Sequence, residues 1–364
     1  MRFYHHLIDS EKPYTGIDIF AVDVDQDGLQ DVVCGAWWYA NPTWERYEIP
    51  GVYQVIYAYD LDKDYIPELI AIRRAPIPLE KNWYFGLSSD FVWLKPIDPR
   101  NGIWEQYPIG RGAGTWPHGV AMGYLLGPER ATLAVSYHSA KKEGHYPELF
   151  EVPENPKTPC WRHRVLAEVV YGEQLLIEDV DGDGSAEVVM GEHLLRNIGN
   201  GYFEVTQIMS GTEPTRLALA DLTGNGKLDL IFTEEIVDWA GKKVPLSRLA
   251  WAENPGFSSR LWEIHDIDQI RCGHSLSIGD IDGDGMEEIV CGEHLPFTPY
   301  AGDARLLVYK RRSHSPTIWD RLVVAVGFEH HNGAKIINLG NGKTGIISHG
   351  WTESRFVHLW TVIP

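Results

Sequence analysis

The chain has 364 residues, 44% of them hydrophobic, and a formal net charge of −19. This length suffices for one large β domain or two ordinary domains with a substantial core. The acidic charge argues against a nucleic-acid partner, because nucleic-acid phosphates need a basic surface. No stretch approaches the roughly 18 apolar residues of a membrane helix, so we expect no membrane association.

The chain begins with MRFYHHLIDSEKP. This segment lacks the basic region and apolar stretch of a secretory signal. We therefore expect a cytoplasmic protein, or a secreted one whose signal has been removed. The four cysteines are widely spaced, which predicts free thiols rather than a disulfide framework. Nothing in the sequence indicates an oligomeric state.

An acidic motif of nine residues recurs along the chain. Its copies are DVDQDGLQD (23–31), DLDKDYIPE (60–68), DVDGDGSAE (179–187), DLTGNGKLD (221–229) and DIDGDGMEE (280–288). β-Branched apolar runs flank each copy, so each copy predicts a turn between two strands. Residues 118–136 and 332–348 keep this strand–turn–strand pattern without the acids, which predicts seven units in all.

A second pattern gives the same number of units. An aromatic residue followed five positions later by an aliphatic one alternates with the acidic motif, and third-strand segments such as 37–42, 150–156 and 249–255 lie between them. The pairs are Phe3–Ile8, Trp44–Ile49, Trp104–Ile109, Trp161–Leu166, Phe203–Ile208, Trp262–Ile267 and Trp319–Val324. Four short strands in each of seven units predict an all-β protein, a seven-bladed β-propeller of antiparallel blades in one domain, 1–364. Residues 2–8 precede the first inner strand, so we expect them to complete the last blade beside 355–363 and close the ring.

The acidic motif also predicts a cation site in each copy. Asp at positions 1, 3 and 5 and an acid at position 9 can surround a hard cation with oxygen ligands, and Gly at position 6 allows the sharp turn. We expect structural Ca²⁺ that staples the turn rather than regulatory Ca²⁺, with weaker binding in blade 2, where Tyr65 replaces Gly, and in blade 5, which has fewer acids. The predicted ligands are Asp23, Asp25, Asp27, Asp31, Asp60, Asp62, Asp64, Glu68, Asp179, Asp181, Asp183, Glu187, Asp221, Asn225, Asp229, Asp280, Asp282, Asp284 and Glu288.

The motif resembles the FG-GAP/VCBS repeat family over essentially the whole chain. This family includes the propellers of integrin α-subunits, fungal lectins and several carbohydrate-active enzymes. The resemblance implies a propeller with calcium in its loops and says little about function.

Strand order predicts which residues surround the central channel. If the acidic loops join strands 1 and 2, the start of strand 1 and the end of strand 2 lie on the opposite face, where propellers place their sites. Six residues before the first loop position stand Ile17, Gln54, His118, Glu173, Thr215, His274 and Asn332; twenty further on stand Trp37, Arg74, His138, His193, Glu235 and His294, with His349 near the equivalent place.

This concentration of His, Glu and Arg predicts a functional site. Several imidazoles with a carboxylate favour zinc or another divalent transition metal. We expect His118, His193 and His274 as ligands, with Glu173 or His294 as a fourth. Any single histidine could instead form a hydrogen bond to a neighbouring blade.

Motifs for acyl transfer, phosphoryl transfer and nicotinamide chemistry are absent from the sequence. Acid–base chemistry assisted by a metal or an arginine remains, and β-elimination next to a carbonyl or carboxylate needs such groups. A carbohydrate is the expected substrate. The candidate substrate-binding residues are Trp37 and Trp116, which could stack on a sugar ring, together with Arg74, Gln174 and His349.

The chain is also similar to the propeller domain of aldos-2-ulose dehydratase and to propeller-fold polysaccharide lyases. This resemblance implies a carbon–oxygen lyase acting on a keto-sugar or a uronate-containing glycan. It implies His331 or His138 as the base, Tyr137 as a proton donor and Arg216 as the clamp on a carboxylate or keto group; Glu235 is a further catalytic candidate. The main alternative is a calcium-stabilised lectin that binds sugars in pockets repeated between the blades. An integrin-like interaction propeller is a third possibility.

Overall fold

The computed structural model describes most of the chain. The described residues are 1–363 except 13–15, 17, 74–88, 115–116, 139–145, 169–171, 200, 257–259, 297–301, 313–317 and 351–354. Arg74 and Trp116, two predicted substrate-binding residues, lie outside the described residues, as does Ile17.

The chain forms seven antiparallel sheets of four strands each, as the repeats predict. Blades 1 to 4 follow one another in chain order. They are β2–β5 (Ile19–Val22, Asp31–Cys34, Trp37–Ala40, Glu45–Glu48), β6–β9 (Val52–Tyr59, Glu68–Arg73, Asp90–Asp98, Ile103–Arg111), β10–β13 (Pro117–Gly123, Thr132–Tyr137, Glu148–Glu151, Arg162–Val165) and β14–β17 (Leu175–Glu178, Glu187–Met190, His193–Asn197, Phe203–Gln207).

The remaining three blades complete the set. They are β18–β21 (Pro214–Ala220, Asp229–Glu234, Leu246–Glu253, Glu263–Arg271), β22–β25 (Gly273–Gly279, Glu288–Glu293, Arg305–Arg311, Trp319–Val326) and a last blade of β26 (Lys335–Asn338), β27 (Thr344–His349), β28 (Val357–Ile363) and β1 (Arg2–Asp9).

The first strands of the blades form the inner wall of a closed ring. Each contacts the first strand of the next blade, from β2 through β6, β10, β14, β18 and β22 to β26, and β26 contacts β2 again. The N-terminal strand β1 pairs with β28, from Arg2 opposite Ile363 to Leu7 opposite His358. The predicted closure of the ring by the N-terminal strand is therefore confirmed.

The core lies between adjacent blades. The indoles of Trp38, Trp93, Trp251 and Trp360, each on a third strand, are fully buried. The second strands are buried along their length because they are covered on both faces, whereas the outer strands are largely exposed. The four cysteines are free thiols, as predicted. In the described part of the chain, no helix has the length and apolar character needed to cross a membrane.

The acidic loops join strands 1 and 2 of their blades, so they lie together on one face. The predicted ends of the second strands are wrong in blades 1 and 4. There a turn of two residues, Gly35–Ala36 or Gly191–Glu192, follows a short second strand, so Trp37 and His193 begin the third strand instead. Tight turns with a glycine at positive φ end these two strands early. Counting twenty residues from the start of the first strand therefore reaches the third strand instead of the end of the second.

Candidate functional site

Three imidazoles from three blades converge at the channel. His118 of blade 3, His274 of blade 6 and His331 of blade 7 each offer a ligand atom within 4.8 Å of the other two. The rings of His274 and His331 stack with centroids 4.3 Å apart, and His118 meets them edge-on at 6.2 and 6.3 Å. Three imidazoles are a donor set of catalytic zinc sites, so these residues fit a divalent transition metal.

β-Bulges direct two of these histidines into the channel. In β10 the pairing passes from Pro117 to Gly119 and leaves His118 without a cross-strand partner, and β22 has the same irregularity at His274. A bulge bends its strand and changes the direction of a side chain, and bulges are common beside active sites. The sequence pattern alone contains no signal for these bulges.

Backbone hydrogen bonds fix the third histidine relative to the other blades. The N–H of His331 donates to the carbonyl of His349 at 3.1 Å, and the N–H of Asn332 donates to the carbonyl of His274 at 3.0 Å. The second bond joins blade 7 to blade 6. The histidines therefore belong to a connected backbone framework rather than to independent loops.

Burial keeps two of the three imidazoles neutral. It lowers the pKa of His118 to about 3, and together with the surrounding histidines it holds the pKa of His331 well below its usual range. A neutral imidazole has a lone pair for a metal ion. This electrostatic environment therefore favours ligation over protonation at His118 and His331.

The carboxylate of Glu173 connects the converging histidines to His138, on the more exposed side of the site. The Oε1 atom of Glu173 lies 3.0 Å from Nδ1 of His138, and its Oε2 atom lies 3.3 Å from Arg216 Nη2 and 3.4 Å from His274 Nε2. Burial alone would raise the pKa of Glu173, but its hydrogen bonds with the two histidines and the nearby positive charge hold it well below its usual range. Glu173 is therefore an anion that can orient both imidazoles.

Arg216 lies behind the site, with only 2% of the residue exposed. Its Nη2 atom lies 3.1 and 3.0 Å from the two ring nitrogens of His274, and its Nε donates to the carbonyl of the same residue at 3.3 Å. The guanidinium is thus occupied by Glu173 and His274. The predicted role of Arg216 as a clamp on a substrate group remains a prediction; in this structure its side chain is buried and contacts Glu173 and His274.

Glu235 approaches the same histidine from another side. Its Oε2 atom lies 3.2 Å from His274 Nε2, and its Oε1 atom accepts a hydrogen bond from the thiol of Cys272 at 3.3 Å. Burial and Arg216 lower the pKa of His274, but Glu235 and Glu173 more than offset them, so its pKa is raised. Glu235 remains ionised, with a pKa of about 2, because His274 outweighs the effect of burial.

His138 is the accessible histidine of the group, with half of its side chain exposed. It lies 4.7 Å from His118 between ring centroids, and its Nδ1 faces Glu173. Burial lowers the pKa of His138, but the hydrogen bond and charge of Glu173 outweigh it, so the pKa is raised. Among the predicted bases, His138 is therefore the one that a substrate can reach, whereas His331 is buried.

Several predicted site residues lie away from this group. The hydroxyl of Tyr137 donates to Glu148, and its ring belongs to the core of blades 2 and 3, so we do not assign Tyr137 as the proton donor. Trp37 is 6% exposed within a hydrophobic core, which leaves little of its indole to stack on a sugar. His193 begins the third strand of blade 4, where it pairs with Gln207 of the outer strand, so we do not assign it as a ligand of this centre.

The other predicted residues have supporting contacts. The amide oxygen of Gln174 accepts a hydrogen bond from the N–H of Leu217 at 2.9 Å and so joins blade 4 to blade 5. His349 is fully buried, with its Nδ1 atom 2.9 Å from Nζ of Lys12. Neither side chain is in a position to bind a substrate. His294 stacks edge-on with His331 at 4.9 Å, at the border of the ligand group.

Sequence reasoning missed three charged residues at the site. Asp18 accepts a hydrogen bond from Asn332 Nδ2 at 2.6 Å, and burial raises its pKa to about 7. It stands five residues before its loop, the position of Gln174 and Arg216 in other blades, so the repeat alignment could have found it. Lys12 and Glu329, which lies 3.3 Å from His294, are both fully buried. Glu329 precedes a His–His pair, whereas the position of Lys12 has no comparable signal.

The acidic loops on the opposite face share one internal arrangement. The acid at position 9 is buried and accepts a hydrogen bond from the N–H of position 2; in blade 4, Glu187 Oε2 accepts from Val180 at 3.0 Å. The other oxygen of Glu187, and Oδ2 of Asp181, are buried without a hydrogen-bond partner among the described residues. Burying such oxygens is costly unless a cation neutralises them, so this loop fits Ca²⁺.

Away from the channel, a pocket of about 690 Å³ lies between blades 3 and 4. The non-acidic loop of blade 3, 126–130, forms one side, and Arg162, Arg164 and Tyr202 form the other. Because this pocket depends on a loop that differs from the acidic ones, it does not supply the repeated pockets that the lectin alternative predicts.

Seven antiparallel blades with acidic loops on one face and a histidine group at the channel define the class: a β-propeller with a candidate metal centre. Residues 179–232 match the FG-GAP-like repeat family, which confirms the predicted resemblance. No curated protein gives a significant sequence match to the chain.

Two solved structures illustrate how common this architecture is. An exotype rhamnogalacturonan lyase, YesX, is similar over 96% of this chain and 72% of its own, with 13% identity and a TM-score of 0.56. BBS1N, solved in complex with ARL6DN, is similar over 100% of this chain and 98% of its own, with 10% identity and a TM-score of 0.52. At such low identities the similarity shows the fold alone.

Proposed function

We propose that the protein is a carbohydrate-active carbon–oxygen lyase with zinc or another divalent transition metal in its channel. Its reaction is β-elimination on a keto-sugar or a uronate-containing glycan. The observation that supports this most is the convergence of His118, His274 and His331 from three blades within 4.8 Å, beside the accessible His138. The similarity in fold to a rhamnogalacturonan lyase supports a carbohydrate as the substrate.

The chemistry of elimination assigns a role to each group. A base removes the proton on the carbon next to the carbonyl or carboxylate, the electron pair forms a carbon–carbon double bond, and the carbon–oxygen bond on the next carbon breaks. His138 is the base, because its Nδ1 is held by Glu173 and leaves Nε2 for the substrate. His138 then returns its proton to the departing oxygen.

The remaining residues hold the centre in place. His118, His274 and His331 would hold the metal, and a metal bound there would supply positive charge to stabilise a developing enolate. Glu173 orients His138 and His274 at once, and Arg216 and Glu235 fix the ring of His274. The acidic loops with complete ligand sets bind structural Ca²⁺ on the opposite face.

The proposal predicts a product that absorbs ultraviolet light. Incubation of the purified protein with keto-sugars and uronate-containing glycans should produce unsaturated sugars, because elimination conjugates the new double bond with a carbonyl or carboxylate. The unsaturated product and the leaving group, a saccharide from a glycan or water from a keto-sugar, should together have the mass of the substrate. Hydrolysis products alone, or saturable glycan binding without turnover, would contradict the lyase assignment.

The pH profile tests His138 as the base. A general base must be neutral, so activity should rise with pH through the pKa of His138, which stands above its usual 6.5. The Glu173→Gln variant removes the charge that raises this pKa, so the acid limb should move down by about one pH unit. Glu204→Gln is the control, since Glu204 lies on the outer strand of blade 4, where it pairs with Arg196. An unchanged acid limb in Glu173→Gln would argue against His138.

A further inference from the structure

In two of the five blades with acidic loops, a lysine on the third strand forms ion pairs with the carboxylates of the loop. In blade 2, Nζ of Lys95 lies 2.6 Å from Asp62 and 3.4 Å from Glu68, and it also forms an ion pair with Asp64. These carboxylates stand at positions 3, 5 and 9 of the motif, the positions that would ligate Ca²⁺.

The complete loop of blade 6 repeats this arrangement. Nζ of Lys310 lies 2.5 Å from Asp282, 2.7 Å from Asp284 and 3.6 Å from Glu288. The same three motif positions are therefore engaged by an ammonium group in both blades. Two loops without sequence identity at their variable positions arrive at one geometry.

The two lysines occupy the same position in their blades. Each stands one residue beyond the cross-strand pair that follows the last acid, Leu69 opposite Leu94 in blade 2 and Ile289 opposite Tyr309 in blade 6. The same position in the other acidic blades is occupied by Ala40 in blade 1, Arg196 in blade 4 and Glu253 in blade 5. No other acidic blade has a lysine there.

Among the described residues, no lysine forms an ion pair with the acids of the blade 4 loop. Arg196 forms an ion pair with Glu204, and its charge also attracts Asp181 and Asp183. The buried Oε1 of Glu187 keeps no hydrogen-bond partner in the described part of the chain; Oε1 of Glu68 and of Glu288 also has none, but these atoms lie 3.4 and 3.6 Å from a lysine. In blade 1, Arg100 binds one oxygen of Asp25 from outside, and the other oxygen is likewise buried without such a partner.

We propose that the ammonium groups of Lys95 and Lys310 take the place of a metal ion in blades 2 and 6, so that Ca²⁺ binds the loops of blades 1 and 4. This inference rests on the proposal that complete acidic loops bind Ca²⁺, and it makes blade 6, whose loop is complete, the exception. It divides loops with near-identical motifs, DVDGDGSAE and DIDGDGMEE, into one that needs a metal and one that does not. The loops of blades 2 and 6 are thus stabilised by ion pairs even when calcium is absent.

The test is the calcium content of three proteins measured after dialysis against excess Ca²⁺. Lys310→Met should bind about one more Ca²⁺ per chain than the unaltered protein, and its thermal unfolding should become more sensitive to a chelator. The matched control is Lys63→Met, which removes an exposed lysine of the blade 2 loop that pairs only weakly with Glu129. The control should leave both measurements unchanged.

Loop variants separate this inference from the calcium proposal itself. Asp183→Asn in blade 4 should lower the calcium content by about one, whereas Asp284→Asn in blade 6 should leave it unchanged. A protein that binds no Ca²⁺ at all would overturn the calcium proposal. If Asp284→Asn loses one Ca²⁺, or Lys310→Met gains none while blade 4 binds, the lysine substitution is wrong. The Asp284→Asn result decides this even if Lys310→Met fails to fold.

Discussion

The double variant His118→Ala/His274→Ala should lose its transition metal and at least about a thousandfold of its lyase turnover. Two of the three imidazoles that lie within 4.8 Å of one another disappear, so the remaining His331 cannot hold the ion alone. A metal contributes several kcal/mol to the stabilisation of an enolate-like transition state, which corresponds to a factor of this size. Elemental analysis of the purified variant and the ultraviolet assay measure the two effects.

The matched control removes two histidines that lie outside the channel. In His6→Ala/His163→Ala, one histidine comes from the exposed strand β1 and the other stacks on Phe150 in the outer part of blade 3. Metal content and turnover should both remain. If the His118/His274 variant keeps its metal, the ligand assignment is wrong; if it loses metal but keeps turnover, the metal has no part in the reaction.

His138→Ala separates the base from the ligands. This variant should keep the metal, because the proposed ligands are three other imidazoles, and should lose turnover by about 10²–10⁴-fold, the usual contribution of a general base. Loss of metal in His138→Ala would instead place this residue among the ligands.

The second large effect concerns the closure of the ring. Trp360→Ala should lower the free energy of unfolding by about 3–5 kcal/mol, the usual cost of truncating a buried aromatic residue. Trp360 lies on β28, is 2% exposed, and stacks on His5 of the N-terminal strand with ring centroids 4.9 Å apart. It also packs against His358, so the cavity would open where the two ends of the chain meet.

Tyr4→Ala is the matched control on the neighbouring strand. Tyr4 is 57% exposed, so its truncation should change the free energy of unfolding by no more than about 0.5 kcal/mol. Equilibrium unfolding in urea measures both variants. Equal losses for the two would mean that the side chain of Trp360 is not covered by the N-terminal strand, and the observed closure would then not contribute to stability.

The repeat pattern by itself determined the fold. Acidic turns and aromatic–aliphatic pairs alternate along the chain, and each strand needs only its local period and turn residues to be recognised. The strand order then implies which strand ends share a face, and this is enough to predict that His118, Glu173 and His274 lie close together, as they do in the structure.

Only the tertiary structure decided what each side chain at the channel does. The offset of twenty residues failed at Trp37 and His193 because tight glycine turns shorten two strands, and the bulges at His118 and His274 leave no mark in the pattern. Arg216 and Tyr137 have the right residue types for catalysis, but their depth below the surface gives them supporting contacts instead.

The acidic loops show the same division. Their sequences determined the carboxylates and the turn, since both depend on residues close together in the chain. The lysine that neutralises two of them comes from the third strand, through connections of different lengths, so its position follows from strand register. Turns and ligand positions within a few residues can be predicted from a sequence, whereas a contact between strands depends on the register that the whole sheet adopts.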